Sequence, residues 1–130
     1  MMEIPHGYTY SGHPVACAAA LAALDVLEND QLISRVRELS PVFEKKLHEL
    51  KGTRYISDIR NYGLAGALQV EAYPGEPARR PYEIAMHCWK AGFYVRYGGD
   101  TIQLGLPFIT EHDELDRLIN ALGDAFAAQD

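Results

Sequence analysis

An α+β fold, with helices covering one face of a short and mostly antiparallel sheet, is the architecture this sequence predicts. Three observations carry that expectation. Four segments read as helices from their caps, alanine density or inward apolar residues, four short runs rich in β-branched and aromatic residues are set off by glycines, and the two kinds follow one another in the order ααββαββα. At 130 residues, with 48% hydrophobic and 23% charged content, the chain has room for one domain with one core. That core suffices for folding without disulfides or a structural metal.

The first helix is announced by Ser11-Gly12-His13 as capping residues and by Pro14, whose fixed φ and missing N–H suit the first helical position. It is expected from Pro14 to about Glu28, and its alanine density predicts a slim rod buried on most sides. After Asn29-Asp30 a second helix places Leu32, Ile33, Val36, Leu39, Val42, Phe43, Leu47 and Leu50 inward, with a kink or a restart at Pro41. Lys51-Gly52 ends it. Tyr55–Tyr62 and Leu64–Glu71 then read as two strands around Gly63, paired as a hairpin. Beyond a Pro- and Gly-containing loop from Tyr73 to Pro77, a third helix from Pro81 to Lys90 turns Ile84, Met86 and Trp89 partly inward and stops at Ala91-Gly92. Phe93–Tyr97 and Thr101–Gly105 are the last two strands, joined by the turn Gly98-Gly99-Asp100. A cap at Thr110 opens the last helix, which carries Leu115, Leu118, Ile119, Leu122 and Phe126 inward.

Composition excludes several function classes. Twelve Lys plus Arg against eighteen Asp plus Glu give a net charge of −6 with no concentrated positive segment, so nucleic-acid binding has little electrostatic footing. The longest apolar run, Val15–Leu24, is far shorter than the roughly 20 residues a membrane span needs. The first residues lack a signal-peptide pattern and the two cysteines form no secreted-type framework, so a reducing cytoplasmic setting is expected. Five His and two Cys find no partners at metal-ligand spacing: His87 and Cys88 are adjacent and point about 100° apart on a helix, which argues against a metal site. Cys17 and Cys88 read as small buried residues rather than nucleophiles. Glycine-rich nucleotide and GxSxG fingerprints are absent, and Gly63, Gly66, Gly98 and Gly99 are explained by turns.

Two features point to chemistry. Tyr8-Thr9-Tyr10-Ser11-Gly12-His13-Pro14 puts hydroxyls immediately before a helix start, where free N–H groups and the positive end of the dipole suit a phosphate. The plainer account is a helix cap. Arg96 interrupts Phe93-Tyr94-Val95-Arg96-Tyr97, where alternation sets it on the face of Tyr94 and opposite Val95 and Tyr97. A planar guanidinium beside aromatics grips both oxygens of a carboxylate; the plainer account is an edge-strand arginine facing solvent. Asp58, Arg60 and Asp100 read as surface or turn residues, and Glu38, Glu44, Lys45 and Lys46 as a solvated helix face.

Taken together, His6 to Leu21 (HGYTYSGHPVACAAAL) and Gly92 to Leu104 (GFYVRYGGDTIQL) resemble the C-terminal part of class III pyridoxal-phosphate aminotransferases, nearest the ω-amino acid (β-alanine):pyruvate branch. The resemblance spans essentially the whole chain, with both motifs in order. It implies a fold type I enzyme, with residues 1–130 forming its small C-terminal domain, 1–13 acting as interface and phosphate loop, and a homo-oligomer carrying sites at the subunit interface. It implies that Tyr8 and Thr9 bind cofactor, the threonine reaching the phosphate of pyridoxal 5'-phosphate in the neighbouring subunit. It implies that Arg96 binds substrate carboxylate and swings out for an amine that lacks one.

The departures matter as much. A transaminase needs a Schiff-base lysine, an acid on the pyridine nitrogen and a phosphate cup, and in this family all lie upstream of the place where this sequence begins. Lys45, Lys46, Lys51 and Lys90 do not stand where that lysine would. Met1-Met2 stands just before the interface loop, as though a longer gene had been cut or mis-started. The expectation is a C-terminal portion that cannot transaminate unaided, with no catalytic residue of its own and a missing large domain as partner. The alternatives are a non-catalytic module that associates with itself or a partner, and an independent ligand-binding α+β domain.

Overall fold

A computed structural model describes residues 7–129. His6 of the first motif, and with it the start of the 1–13 loop, lies outside the described residues. Among those described, the elements follow the predicted order: α1 (Pro14–Asn29), α2 (Leu32–His48), β1 (Ile56–Tyr62), β2 (Ala65–Val70), α3 (Arg79–Lys90), β3 (Arg96–Gly98), β4 (Thr101–Gly105) and α4 (His112–Ala127). The chain divides into two compact units between Ile33 and Ser34, within α2.

In the first unit, Pro14 opens α1 and the His13 Nδ1 accepts the N–H of Ala16 at 3.4 Å. None of the residues of α1 is buried, against the expectation of burial on most sides. Cys17, expected as a small buried residue, is exposed with the rest of it.

The second unit holds the sheet, in the order β1-β2-β4-β3 with every neighbouring pair antiparallel. Alternation along the strands buries Gly66, Leu68 and Val70 of β2 and Ile102 and Leu104 of β4 on one face. Against that face pack Phe43 and Leu47 of α2, Ile84 and Cys88 of α3, and Leu115, Leu122 and Phe126 of α4, which together make the core. Gly66 is no turn residue, contrary to the sequence reading. A Cβ there would stand 2.8 Å from both Leu47 Cδ2 and Phe43 Cζ, so the glycine lets α2 lie on the strand.

Pro41 neither ends nor restarts α2, which runs through it as one span. Arg35 ties α2 to the segment before α4, its Nε donating to the Phe108 carbonyl at 3.1 Å and its Nη2 to the Thr110 carbonyl and the Glu111 carboxylate, each at 2.8 Å. Lys46 and Asp116 form an ion pair between α2 and α4. The cap of α4 is Glu111 rather than Thr110: Glu111 and Glu114 make a reciprocal capping box, while the Thr110 hydroxyl turns back to donate to the Pro107 carbonyl at 2.8 Å.

The end of α3 explains why the third strand is shorter than expected. Gly92 takes φ +91°, its N–H donates to the Trp89 carbonyl, and the Phe93 N–H reaches the Cys88 carbonyl at 2.9 Å. This is a Schellman stop. Phe93 to Val95 are spent leaving the helix, so pairing begins only at Arg96. Trp89, expected partly inward, is 60% exposed, because the buried stripe of α3 runs through Pro81, Ile84, Ala85 and Cys88, and the next residue is rotated about 100° away from it.

Arg80, at the start of α3, is only 4% exposed. Its guanidinium lies between the rings of Tyr55, at 3.4 Å, and Tyr73, at 4.1 Å. Arg54 and Arg79 stack on the far partners of this column, at 4.3 Å from Tyr55 and 4.9 Å from Tyr73. The stack pins the loop between β2 and α3 to the start of β1, with Tyr55 held at φ +72°.

Candidate functional site

The two sequence-predicted centres fall in different units, Tyr8 and Thr9 in the first and Arg96 in the second. Around Tyr8 the chain makes interlocked turns. The Ser11 hydroxyl accepts the Tyr8 N–H at 2.7 Å, the Ser11 N–H donates to the Tyr8 carbonyl at 3.0 Å, and the His13 N–H donates to the Tyr10 carbonyl at 3.1 Å. Gly12, at φ +76°, permits the change of direction into α1. Ser11 and His13 are therefore committed to the turn and the cap. Thr9 is exposed and keeps its hydroxyl outside that network.

Arg96 stands on the outer face of the sheet, the face opposite α2, α3 and α4. The register fixes its neighbours: Arg96 pairs with Gln103, Gln103 with Ala67, and Ala67 with Arg60, so two arginines close the ends of one cross-strand row. Alternation holds here, since Val95 is buried while Tyr94 and Arg96 are exposed. Tyr97 meets Tyr82 of α3 edge-on with ring centroids 5.7 Å apart, and Tyr94 meets Trp89 in the same way at 6.1 Å. Arg96 itself has no ion-pair partner among the described residues, which leaves its fork open toward solvent.

Beside Arg96 lies a network that sequence reasoning missed. The Arg60 Nη1 donates to the Asp58 carboxylate at 2.7 Å and to the Gln69 side-chain oxygen at 3.1 Å. The Gln69 Nε2 in turn donates to the Asp100 Oδ2 at 2.7 Å, and the Thr101 hydroxyl donates to its Oδ1 at 3.0 Å. These bonds, from Thr101 first and Gln69 second, hold the Asp100 carboxyl below its usual range. The available signal was the two-residue spacing of Asp58 and Arg60 along a strand, which places them on one face.

A pyridoxal phosphate site asks for phosphate donors and a reactive amine. Thr9 before the N-terminus of α1 fits the first demand in part, supplying one hydroxyl and the helix end. The lysines do not fit the second. Lys45, Lys51 and Lys90 are exposed, and Lys46 is engaged by Asp116, whose hydrogen bond raises its pKa and keeps the amine protonated. Cys88 is no substitute nucleophile, since burial pushes its thiol up to about 11. Among the described residues no group of His, Cys, Asp and Glu is placed to hold a metal ion, and no helix is long and apolar enough to cross a membrane.

Known proteins supply the context for this geometry. The β-alanine–pyruvate aminotransferase of Pseudomonas aeruginosa is 56% identical over 95% of the chain, and the ω-amino acid–pyruvate aminotransferase of Pseudomonas putida is 54% identical over 95%. The chain spans 28% and 27% of their respective lengths. Among solved structures, an amine transaminase from an uncultivated Pseudomonas species, in its PLP-bound form, superposes with a TM-score of 0.84 at 37% identity, covering 95% of this chain and 30% of that one. The fold is thus that of part of a fold type I transaminase. The Aminotransferase class-III family profile matches residues 1–126, and this chain belongs to that family.

Proposed function

We propose that this chain is the C-terminal portion of a pyridoxal-phosphate-dependent ω-amino acid:pyruvate-type aminotransferase, working in the cytoplasm as part of a homo-oligomer and inactive without the large domain. The observation that carries this reading is the 54–56% identity to pyruvate-accepting ω-amino acid aminotransferases across 95% of the chain. In this reading residues 1–130 form the small domain, with 1–13 as the interface and phosphate loop.

Bound cofactor supplies the electron sink that amino-group transfer requires. The chain's own residues bind and orient. Thr9 offers its hydroxyl to the cofactor phosphate at the positive end of α1, with Tyr8 beside it at the subunit interface. Arg96 takes the carboxylate of the amino donor or the keto acid in a two-point grip on the outer sheet face, which aims the carbon that exchanges nitrogen. No side chain here moves the proton at that carbon; the lysine that does so belongs to the large domain.

Two experiments test this reading. Incubated with pyridoxal phosphate and borohydride, the chain alone should fix no label on any one lysine and should make no alanine from pyruvate plus an amine donor. Grafted in place of the corresponding C-terminal segment of the Pseudomonas aeruginosa relative, it should restore a working enzyme. In that chimera Arg96→Ala should weaken keto-acid acceptors by about 2 kcal/mol while sparing amines that lack a carboxylate. A folded, dimeric chimera without transaminase activity would overturn the reading; equal losses for both substrate types would make Arg96 structural.

A further inference from the structure

Arg96 is carried by the most weakly held strand of the sheet. β3 has three residues, lies at the edge, and pairs only with β4, in the register Arg96 to Gln103 and Gly98 to Thr101. Where Arg96 points therefore depends on what holds the turn between the two strands. Gly98 and Gly99 offer no side chain, and Gly99 takes φ +58°. Asp100 is the turn's one handle, and it is grasped three ways. Its Oδ2 accepts from the Gln69 Nε2 at 2.7 Å, its Oδ1 from the Thr101 hydroxyl at 3.0 Å, and its carbonyl from the Val70 N–H at 2.7 Å. Gln69 is fixed in its turn by Arg60, which Asp58 holds, so the relay runs from β1 across β2 to the turn.

Asp100 is also an anion four residues from a cation that has no ion-pair partner among the described residues. Both its oxygens are engaged by neutral donors, and Asp58, on the same face, is engaged by Arg60. We infer that Gln69 and Asp100 form a positioning clip for Arg96: they lock the β3–β4 turn onto β2 and keep the Asp100 carboxylate occupied, so that the Arg96 guanidinium meets an incoming carboxylate. This rests on the reading of Arg96 as the carboxylate-binding residue. It assigns to the clip no contact with substrate.

The test uses the 130-residue chain with pyruvate as probe, the Arg96 Nε–H resonance reporting an apparent Kd. Gln69→Leu and Asp100→Ala, each breaking the clip, should weaken pyruvate by about five- to tenfold. Asp100→Asn keeps an oxygen for the Gln69 amide and should recover most of that loss. Simple electrostatics predicts the opposite sign, since removing a nearby negative charge tightens an anion to a similar extent in Asp100→Ala and Asp100→Asn. Far-ultraviolet spectra and the thermal midpoint show that each variant is folded, and amide exchange at Val70 and Arg96 reads the clip directly, with faster exchange expected in Gln69→Leu. Unchanged pyruvate affinity in folded Gln69→Leu, or tightening in both Asp100 variants, overturns the clip. Pyruvate binding that survives Arg96→Ala unchanged overturns instead the reading of Arg96 beneath it.

Discussion

Gly66 shows how a single absent side chain sets a packing distance. With Leu47 Cδ2 and Phe43 Cζ both 2.8 Å from where a Cβ would be, and both side chains fully buried, neither has space to retreat into. Gly66→Ala should therefore destabilise the chain by about 1–3 kcal/mol, against the gain that the same change brings at an unstrained exposed site; a urea titration of the two proteins decides it. The sequence assigned this glycine to a turn, because the two α2 side chains that close on it lie far from it along the chain. Arg80 was illegible for a related reason. Two adjacent arginines before a proline look like solvated polar residues, and only the fold reveals that Tyr55 and Tyr73, far apart along the chain, converge to sandwich one of them.

Elements whose signals are local were read correctly. The cap and proline of α1, the alternation in β2 and β4, and the inward stripe of α4 follow from propensity and periodicity within a dozen residues. The errors sit where a neighbour competes. By residue type Thr110 is the better cap, yet the position went to Glu111 because Glu114 answers it and Arg35 braces its carboxylate at 2.8 Å. Glu111→Ala should accordingly cost about 1–2 kcal/mol, while Thr110→Ser, which keeps the hydroxyl that bonds Pro107, should cost well under half of that. Thermal midpoints of the two variants provide the comparison, and a Glu111→Ala loss no larger than that of Thr110→Ser would show that the capping box does not hold this helix end. The aromatic run before Arg96 similarly read as strand because nothing local announces that a Schellman stop consumes three of its residues.

At the scale of the whole molecule, the two cysteines report on the two units separately. Cys17 is exposed and should react with a thiol reagent in the native chain, whereas Cys88 should react only in denaturant. Burial raises the Cys88 thiol from its ordinary 9.0 to about 11, so the folded chain binds that proton more tightly than the unfolded chain does. The associated stability is intact below pH 9.0 and is lost as pH climbs toward about 11, and unfolding free energies measured across this window should fall by about 2 kcal/mol more in the natural sequence than in Cys88→Ala. Thr9 and Arg96 could be singled out from the sequence because a hydroxyl before a helix start and a guanidinium beside aromatics argue by residue type alone for oxyanion recognition. The clip was not, because Asp58, Arg60, Gln69 and Asp100 meet only when three strands are in register.

That register carries a consequence for how this chain tolerates changes of length. Side chains on a strand alternate faces, so one residue inserted between Gly98 and Thr101 would either distort the turn or shift β3 by one position against β4. The shifted strand would drive Arg96 inward toward Ile102 and Leu104 and turn the apolar Val95 out to water. A deletion at the same place does likewise. The tip of this hairpin can thus vary in composition far more readily than in length, and insertions that loops elsewhere absorb would here remove the cation from the outer sheet face.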